Sequence, residues 1–116
     1  MYITEMIPAI VKSLDKQRKQ IPKGIKQIVV FGSHARGTAT LRSDIDLALV
    51  YDKEADELRT DRATMHNILY DSVPLIEITF FGTTFNKLAE ATTPTTANYG
   101  IKKEGLVIWE TLATRT

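Results

Sequence analysis

Two short apolar runs constrain this chain more than any other feature. Lys26–Phe31 (KQIVVF) is rich in β-branched residues and stops at Gly32, and Ser43–Tyr51 (SDIDLALVY) alternates Ile45, Leu47 and Leu49 against Asp44 and Asp46. Branched side chains crowd a helix and suit a pleated sheet, so both runs read as strands. Helical periodicity surrounds them. Ile3, Ile7, Ile10, Val11 and Leu14 mark an opening amphipathic helix, with Pro8 expected in its first turn and Pro22 and Gly24 beyond its end. Residues 54–72 place Leu58, Met65 and Leu69 on one helical stripe. Val73–Phe81 (VPLIEITFF) reads as a third strand with Leu75, Glu77, Thr79 and Phe81 on one face. A helix over Phe85–Ala91, a short helix near 97–104 and a last strand at Leu106–Trp109 complete the pattern. Helices alternating with strands predict an α/β (α+β) fold, a small mixed sheet with helices packed on at least one face.

With 116 residues, 43% of them hydrophobic, the expectation is one domain spanning residues 1–116, and a disordered chain is excluded. There is no cysteine, so disulfides and thiolate metal sites are excluded as well. The opening MYITEMIPAIVKS lacks the pattern of a signal peptide, and no apolar stretch approaches the ~20 residues that span a bilayer, so a cytoplasmic protein without a membrane partner is expected. The net charge of +1 is unevenly spread, at +4 over residues 1–26 and −3 over residues 27–57. So small a net charge argues against direct nucleic-acid binding and against metal-dependent nucleic-acid cleavage. The acidic middle is the local feature that needs explaining.

That middle carries a pattern with chemical content. Ten residues separate Ser33, just after the first strand, from Asp44-Ile45-Asp46 on the second. Gly32 lets backbone approach phosphate oxygens without a Cβ in the way. Ser33 offers a hydroxyl and an N–H at the start of a helical turn, and Arg36 stands one turn along to meet phosphate charge. Asp44 and Asp46, two apart on a strand, project from one face. Carboxylates that close repel unless a cation lies between them, and Mg²⁺ takes one or two carboxylates together with substrate phosphates. Two such ions clamp the attacking and leaving oxygens of an in-line phosphoryl displacement. Glu77 joins them as a metal ligand or as the base for the attacking hydroxyl if its strand lies beside the second. Ser43 precedes the first aspartate and is a further candidate, either for phosphate contact or for orienting Asp44.

The segment VVFGSHARGTATLRSDIDLALV resembles the signature of the DNA polymerase beta-type nucleotidyltransferase superfamily. It is most similar to the minimal nucleotidyltransferases, small proteins often paired with a HEPN-domain partner. The likeness covers most of the chain, including the closing IKKEGLVIWE. It implies a polymerase-beta-palm-like fold and transfer of a nucleoside monophosphate from a triphosphate, ATP foremost, to a hydroxyl with release of pyrophosphate. It assigns phosphate binding to Gly32 and Ser33, metal binding to Asp44 and Asp46, and the third carboxylate to Glu77, where aspartate is more usual. The cofactor implied is Mg²⁺ as two ions, with Mn²⁺ as a substitute. In the HEPN-paired members the chain is an antitoxin that adenylylates a tyrosine of a toxin RNase, and the partner supplies the acceptor that so short a chain has no domain to hold.

Other residues are read as structural. His34 is expected to face solvent, and His66 lies on the polar side of a helix with no second histidine at ligand spacing. Arg42 either contacts triphosphate or caps its loop. Tyr99 and Trp109 are expected to pack or line an interface. Two rival functions are a binding module that neutralises its partner without catalysis, and a transferase acting on a small molecule, as aminoglycoside nucleotidyltransferases do. A homodimer could build the wall that the second rival needs.

Overall fold

The computed structural model describes residues 1–73 and 76–111. The chain opens with helix α1 (Ile3–Lys16) and a short 3-10 turn (Arg18–Gln20), then strand β1 (Ile25–Phe31), the one-turn helix α2 (Ser33–Arg36) and strand β2 (Ile45–Tyr51). Helix α3 (Leu58–Leu69), strand β3 (Ile78–Thr84), helices α4 (Phe85–Glu90) and α5 (Ala97–Glu104) and strand β4 (Leu106–Glu110) follow. The strands form one mixed sheet in the order β3-β2-β1-β4. β1 is antiparallel to both β2 and β4, while β2 and β3 are parallel and joined through α3. The end of β1 and the starts of β2, β3 and β4 therefore share one edge of the sheet.

β2 carries the largest part of the core. Ile45, Leu47 and Leu49 are fully buried with Ile28 and Val30 under Ile10 and Leu14 of α1 and Met65 and Leu69 of α3. On the opposite face Ala48 and Val50 join Val29, Ile101 of α5 and the half-buried Phe85 and Leu88 of α4. The sheet is thus covered on both faces, and only the first residues of β2's second face are polar. Leu49 has no exposed surface, so Leu49→Ala should cost about 3 kcal/mol through lost transfer energy and a residual cavity. A urea melt measures this.

Several local expectations are corrected. Pro8 lies inside α1, beyond its first turn. The helix starts earlier than Pro8 suggests because the Glu5 carboxylate accepts the Tyr2 backbone N–H at 3.0 Å while the Glu5 N–H bonds the Tyr2 carbonyl at 2.9 Å. α3 begins only at Leu58, since the acidic stretch before it forms the loop out of β2. β3 begins at Ile78, later than the apolar run suggests, because Ser72, Val73 and Ile76 are engaged in turn hydrogen bonds. The Ser72 N–H reaches the Leu69 carbonyl at 3.0 Å, and the Ile76 N–H reaches that of Val73 at 3.3 Å. Glu77 consequently precedes the strand, and Leu75 lies outside the described residues. β3 also runs on through Gly82, where a Cβ would lie 2.6 Å from Leu58. Glycine here allows the start of α3 to press against the sheet.

Candidate functional site

The shared edge of the sheet collects the predicted residues. β1 pairs with β2 so that Phe31 lies opposite Asp46, which sets Gly32 beside the Asp46 side chain. Gly32 has φ 73° and ψ −151°, a backbone state that residues with a side chain rarely adopt. A Cβ there would stand 2.5 Å from Asp46 Oδ2. Both the turn and the carboxylate therefore require the missing side chain. The chain then enters α2, whose Ala35 and Arg36 N–H groups both bond the Gly32 carbonyl at 3.1 Å. Gly37 ends the turn in the left-handed conformation at φ 78°. Ser33, at the start of this turn, is half-buried.

Asp44 is exposed immediately before β2, and Asp46 is half-buried as its second residue. Alternation along the strand sends both toward one face. Burial raises the Asp46 pKa above its ordinary value, the negative charge of Asp44 raises it further, and His34 and Arg36 lower it. The two carboxylates thus share one electrostatic environment, at the edge where backbone approaches most closely.

Glu77 is placed differently. Its carbonyl accepts the Ile45 N–H at 2.9 Å, and the register of β3 against β2 continues to set it opposite Asp44. Its backbone is therefore tied to the start of β2 while its side chain is exposed. Among the described residues no three His, Cys, Asp or Glu gather into a group able to hold a metal. Asp44 and Asp46 together offer a hard oxygen pair of the kind that suits a divalent cation completed by phosphates.

The loop from Gly37 to Asp44 is held by a turn. The Thr40 N–H bonds Ser43 Oγ at 2.9 Å and the Ser43 N–H bonds the Thr40 carbonyl at 3.1 Å. Ser43 thereby sets the path into Asp44, and its hydroxyl is engaged within the loop. Arg42 follows the same turn, its N–H on Thr40 Oγ1 at 3.3 Å. Arg36 extends the other way, with Nη1 3.3 Å from Glu104 Oε2 of α5.

Two features escaped the sequence reading. His34 is half-buried, its Nε2 3.5 Å from the Ser43 carbonyl, and it acts on Asp46 electrostatically. Its position directly after Ser33 in a one-turn helix was the available signal. Glu104 faces Arg36 across a sequence separation that no local pattern reports. No helix among the described residues is long and apolar enough to cross a membrane.

Solved structures share this architecture. A toxin–antitoxin crystal structure with AMP-PNP aligns at 24% identity with a TM-score of 0.57, covering 93% of this chain and 76% of that one. A nucleotidyltransferase-like protein from Sulfolobus solfataricus aligns at 16% identity and 0.55, covering 93% and 83%. A complex of tri-AMPylated Shewanella oneidensis HEPN toxin with its MNT antitoxin aligns at 18% identity and 0.51, covering 95% and 77%. No functionally curated protein matches the chain in sequence. The profile of the nucleotidyltransferase domain matches residues 10–94, a span holding the glycine turn, both aspartates and Glu77. The same residues that crowd one sheet edge are thus those the profile runs through, and the chain belongs to the nucleotidyltransferase domain family.

Proposed function

We propose that the chain transfers AMP from ATP to a tyrosine hydroxyl of a HEPN-domain partner, as the antitoxin of that pair, with residues 1–116 acting as one domain. The observation that carries this reading is the closeness of Asp46 to Gly32, where a Cβ would stand 2.5 Å from Asp46 Oδ2, beside Asp44 in a member of a nucleotidyltransferase family. Support for the partner comes from the related complexes, one holding AMP-PNP and one an AMPylated HEPN toxin.

Asp44 and Asp46 are the residues that would hold Mg²⁺ in this reading, which would supply charge neutralisation for the phosphates. Gly32 and the Ser33 N–H seat the phosphates, and Arg36 adds positive charge. Ser43 keeps Asp44 in position through its loop. The tyrosine oxygen forms a bond to the α-phosphorus, and the bond from that phosphorus to the α,β-bridging oxygen breaks. Pyrophosphate leaves with the electron pair. Glu77, tied beside the start of β2, takes the hydroxyl proton.

The test incubates the purified chain with ATP, Mg²⁺ and the product of the gene adjacent to its own, followed by intact-mass and peptide mass spectrometry. One or more adenylyl groups on a partner tyrosine are expected, and an unmodified partner overturns the reading. Glu77→Gln should slow transfer by about 100-fold, the usual range for losing a positioned base. Should the Asp44→Asn/Asp46→Asn double variant neutralise the partner as well as the parent, complex formation alone is the mechanism.

A further inference from the structure

The far end of β1 from Gly32 carries a different feature, about 20 Å along the strand. There a groove of about 420 Å³ opens between the 3-10 turn after α1, the start of β1 and the end of β4. Ile21, Ile25 and Trp109, all buried, make an apolar floor with Pro22 beside them. Three cations, Arg18, Lys19 and Lys23, stand around it, and no carboxylate lines it among the described residues. Lys19 and Lys23 are exposed and form no ion pair with a described residue. Arg18 is fixed, its Cζ 4.8 Å from the centre of the Trp109 ring and its Nη1 donating to the Glu110 carbonyl at 2.9 Å. It also meets Asp15 at 3.5 Å. Trp109 is only 5% exposed, and its Nε1 has no hydrogen-bond partner among the described residues. A buried donor left unpaired costs free energy, so the wall of the groove holds a polar group that the fold itself does not satisfy.

We infer that this groove docks an acidic segment of a partner protein, with an apolar side chain on Ile21, Pro22 and Ile25 and flanking carboxylates on Lys19 and Lys23. Charge selects this occupant. Apolar contact alone would accept any large side chain, whereas three cations with no lining carboxylate favour a segment that brings its own. A second copy of this chain, docked through the same patch about a two-fold axis, would set one basic rim against another. A nucleic acid would gain from the cations but find no stacking platform, because Trp109 is buried with Arg18 over its ring. The volume is that of a small-ligand pocket, enough for an anchoring side chain. The groove and the two aspartates lie at opposite ends of β1. The inference therefore does not rest on the transferase reading, and a docked partner leaves the aspartates open.

Trp109 is the chain's single tryptophan, so its emission reports on the groove directly. The probe is the synthetic peptide acetyl-Glu-Asp-Leu-Phe-Asp-Glu-amide, titrated into the full chain with calorimetry alongside. A saturable emission change is expected, with a Kd that rises at least about threefold between about 20 and about 300 mM salt as the charges are screened. Lys19→Glu/Lys23→Glu should weaken binding about tenfold. Lys12→Glu/Lys103→Glu makes the same charge change at exposed positions outside the groove. It should stay within about twofold of the parent, because charges beyond a screening length act weakly. Replacing Leu and Phe of the peptide by Ala should weaken it by at least about tenfold. These lysines are all on the surface, so the variants keep the fold. No saturable signal, or equal losses in the two charge-reversed variants, overturns the inference. So does self-association of the parent that Lys19→Glu/Lys23→Glu abolishes, which assigns the groove to a second copy. A single-stranded RNA that shifts Trp109 emission where the peptide does not overturns it in favour of nucleic acid.

Discussion

Asp46→Asn is expected to reduce nucleotidyl transfer by at least about 1,000-fold while leaving the protein as stable as the parent or slightly more so. The rate loss follows from the position of Asp46. It is the more buried of the two carboxylates proposed to share cations, and asparagine keeps its shape while removing the charge. The stability expectation follows from the same environment. Burial first, then Asp44, raises the Asp46 pKa above 3.8, so the folded protein holds this proton more tightly than the unfolded chain does. Without metal, stability from this group is full below 3.8 and is lost as pH rises through the elevated folded value. At neutral pH the ionised side chain is therefore a net cost, relieved by a bound cation or by the amide. Thermal melts in EDTA across pH 3–7, a range chosen to bracket ordinary carboxylate titration, should show this slope in the parent and a flatter one in Asp46→Asn. Added Mg²⁺-ATP should raise the melting temperature of the parent only. A variant that melts far below the parent would show that Asp46 supports the fold instead.

Gly32→Ala is expected to damage both fold and site. With ψ −151° beside its positive φ, Gly32 holds a backbone state open essentially to glycine alone, and a residue with a side chain pays about 1–3 kcal/mol to hold it. The new Cβ would also sit 2.5 Å from Asp46 Oδ2, well inside contact distance. The carboxylate would be pushed off its position, or the β1–α2 turn would open. Displacement of about an ångström at a reacting centre costs about 100-fold in rate. Denaturant melts should show the stability loss, and calorimetry the loss of Mg²⁺-ATP binding. By contrast Gly37→Ala, in the left-handed helical region at φ 78° and ψ 15°, pays about 1–2 kcal/mol and meets no atom within 4 Å. It should lose less stability than Gly32→Ala while nucleotide affinity stays close to that of the parent. This pair separates backbone strain from the specific closeness of Gly32 to Asp46.

Much of this arrangement was legible in the amino-acid order, and the remainder was hidden for identifiable reasons. Ile28, Val30, Leu47 and Leu49 announce strands because their chemistry and alternation are local properties. Gly32 and the two aspartates stand out because the β1–β2 pairing that joins them spans few residues. The burial of Ala48 and Val50 could not be read, since small and apolar residues on a second strand face fit either an open or a covered sheet. The start of β3 was misplaced because Val73 and Ile76 are as apolar as strand residues, yet they serve a turn that returns the chain to the sheet. Pro8 suggested a later helix start, although the bond between Tyr2 and the Glu5 carboxylate stabilises an earlier one. The approach of Glu104 to Arg36 is a tertiary event between α2 and α5, with two strands and two helices intervening, so no short window contains it.

The connectivity of the sheet has a consequence for the order in which these groups come together. Only thirteen residues lie between Gly32 and Asp46, and antiparallel pairing of their strands closes a short loop at low entropic cost. Glu77 arrives by a longer route, through α3 and a parallel pairing that becomes favourable only after that helix has packed. The half holding Gly32 and Asp46 is therefore suited to early formation during folding. The half holding Glu77 depends on completion of the crossover, so the position proposed for the base is the last to be established.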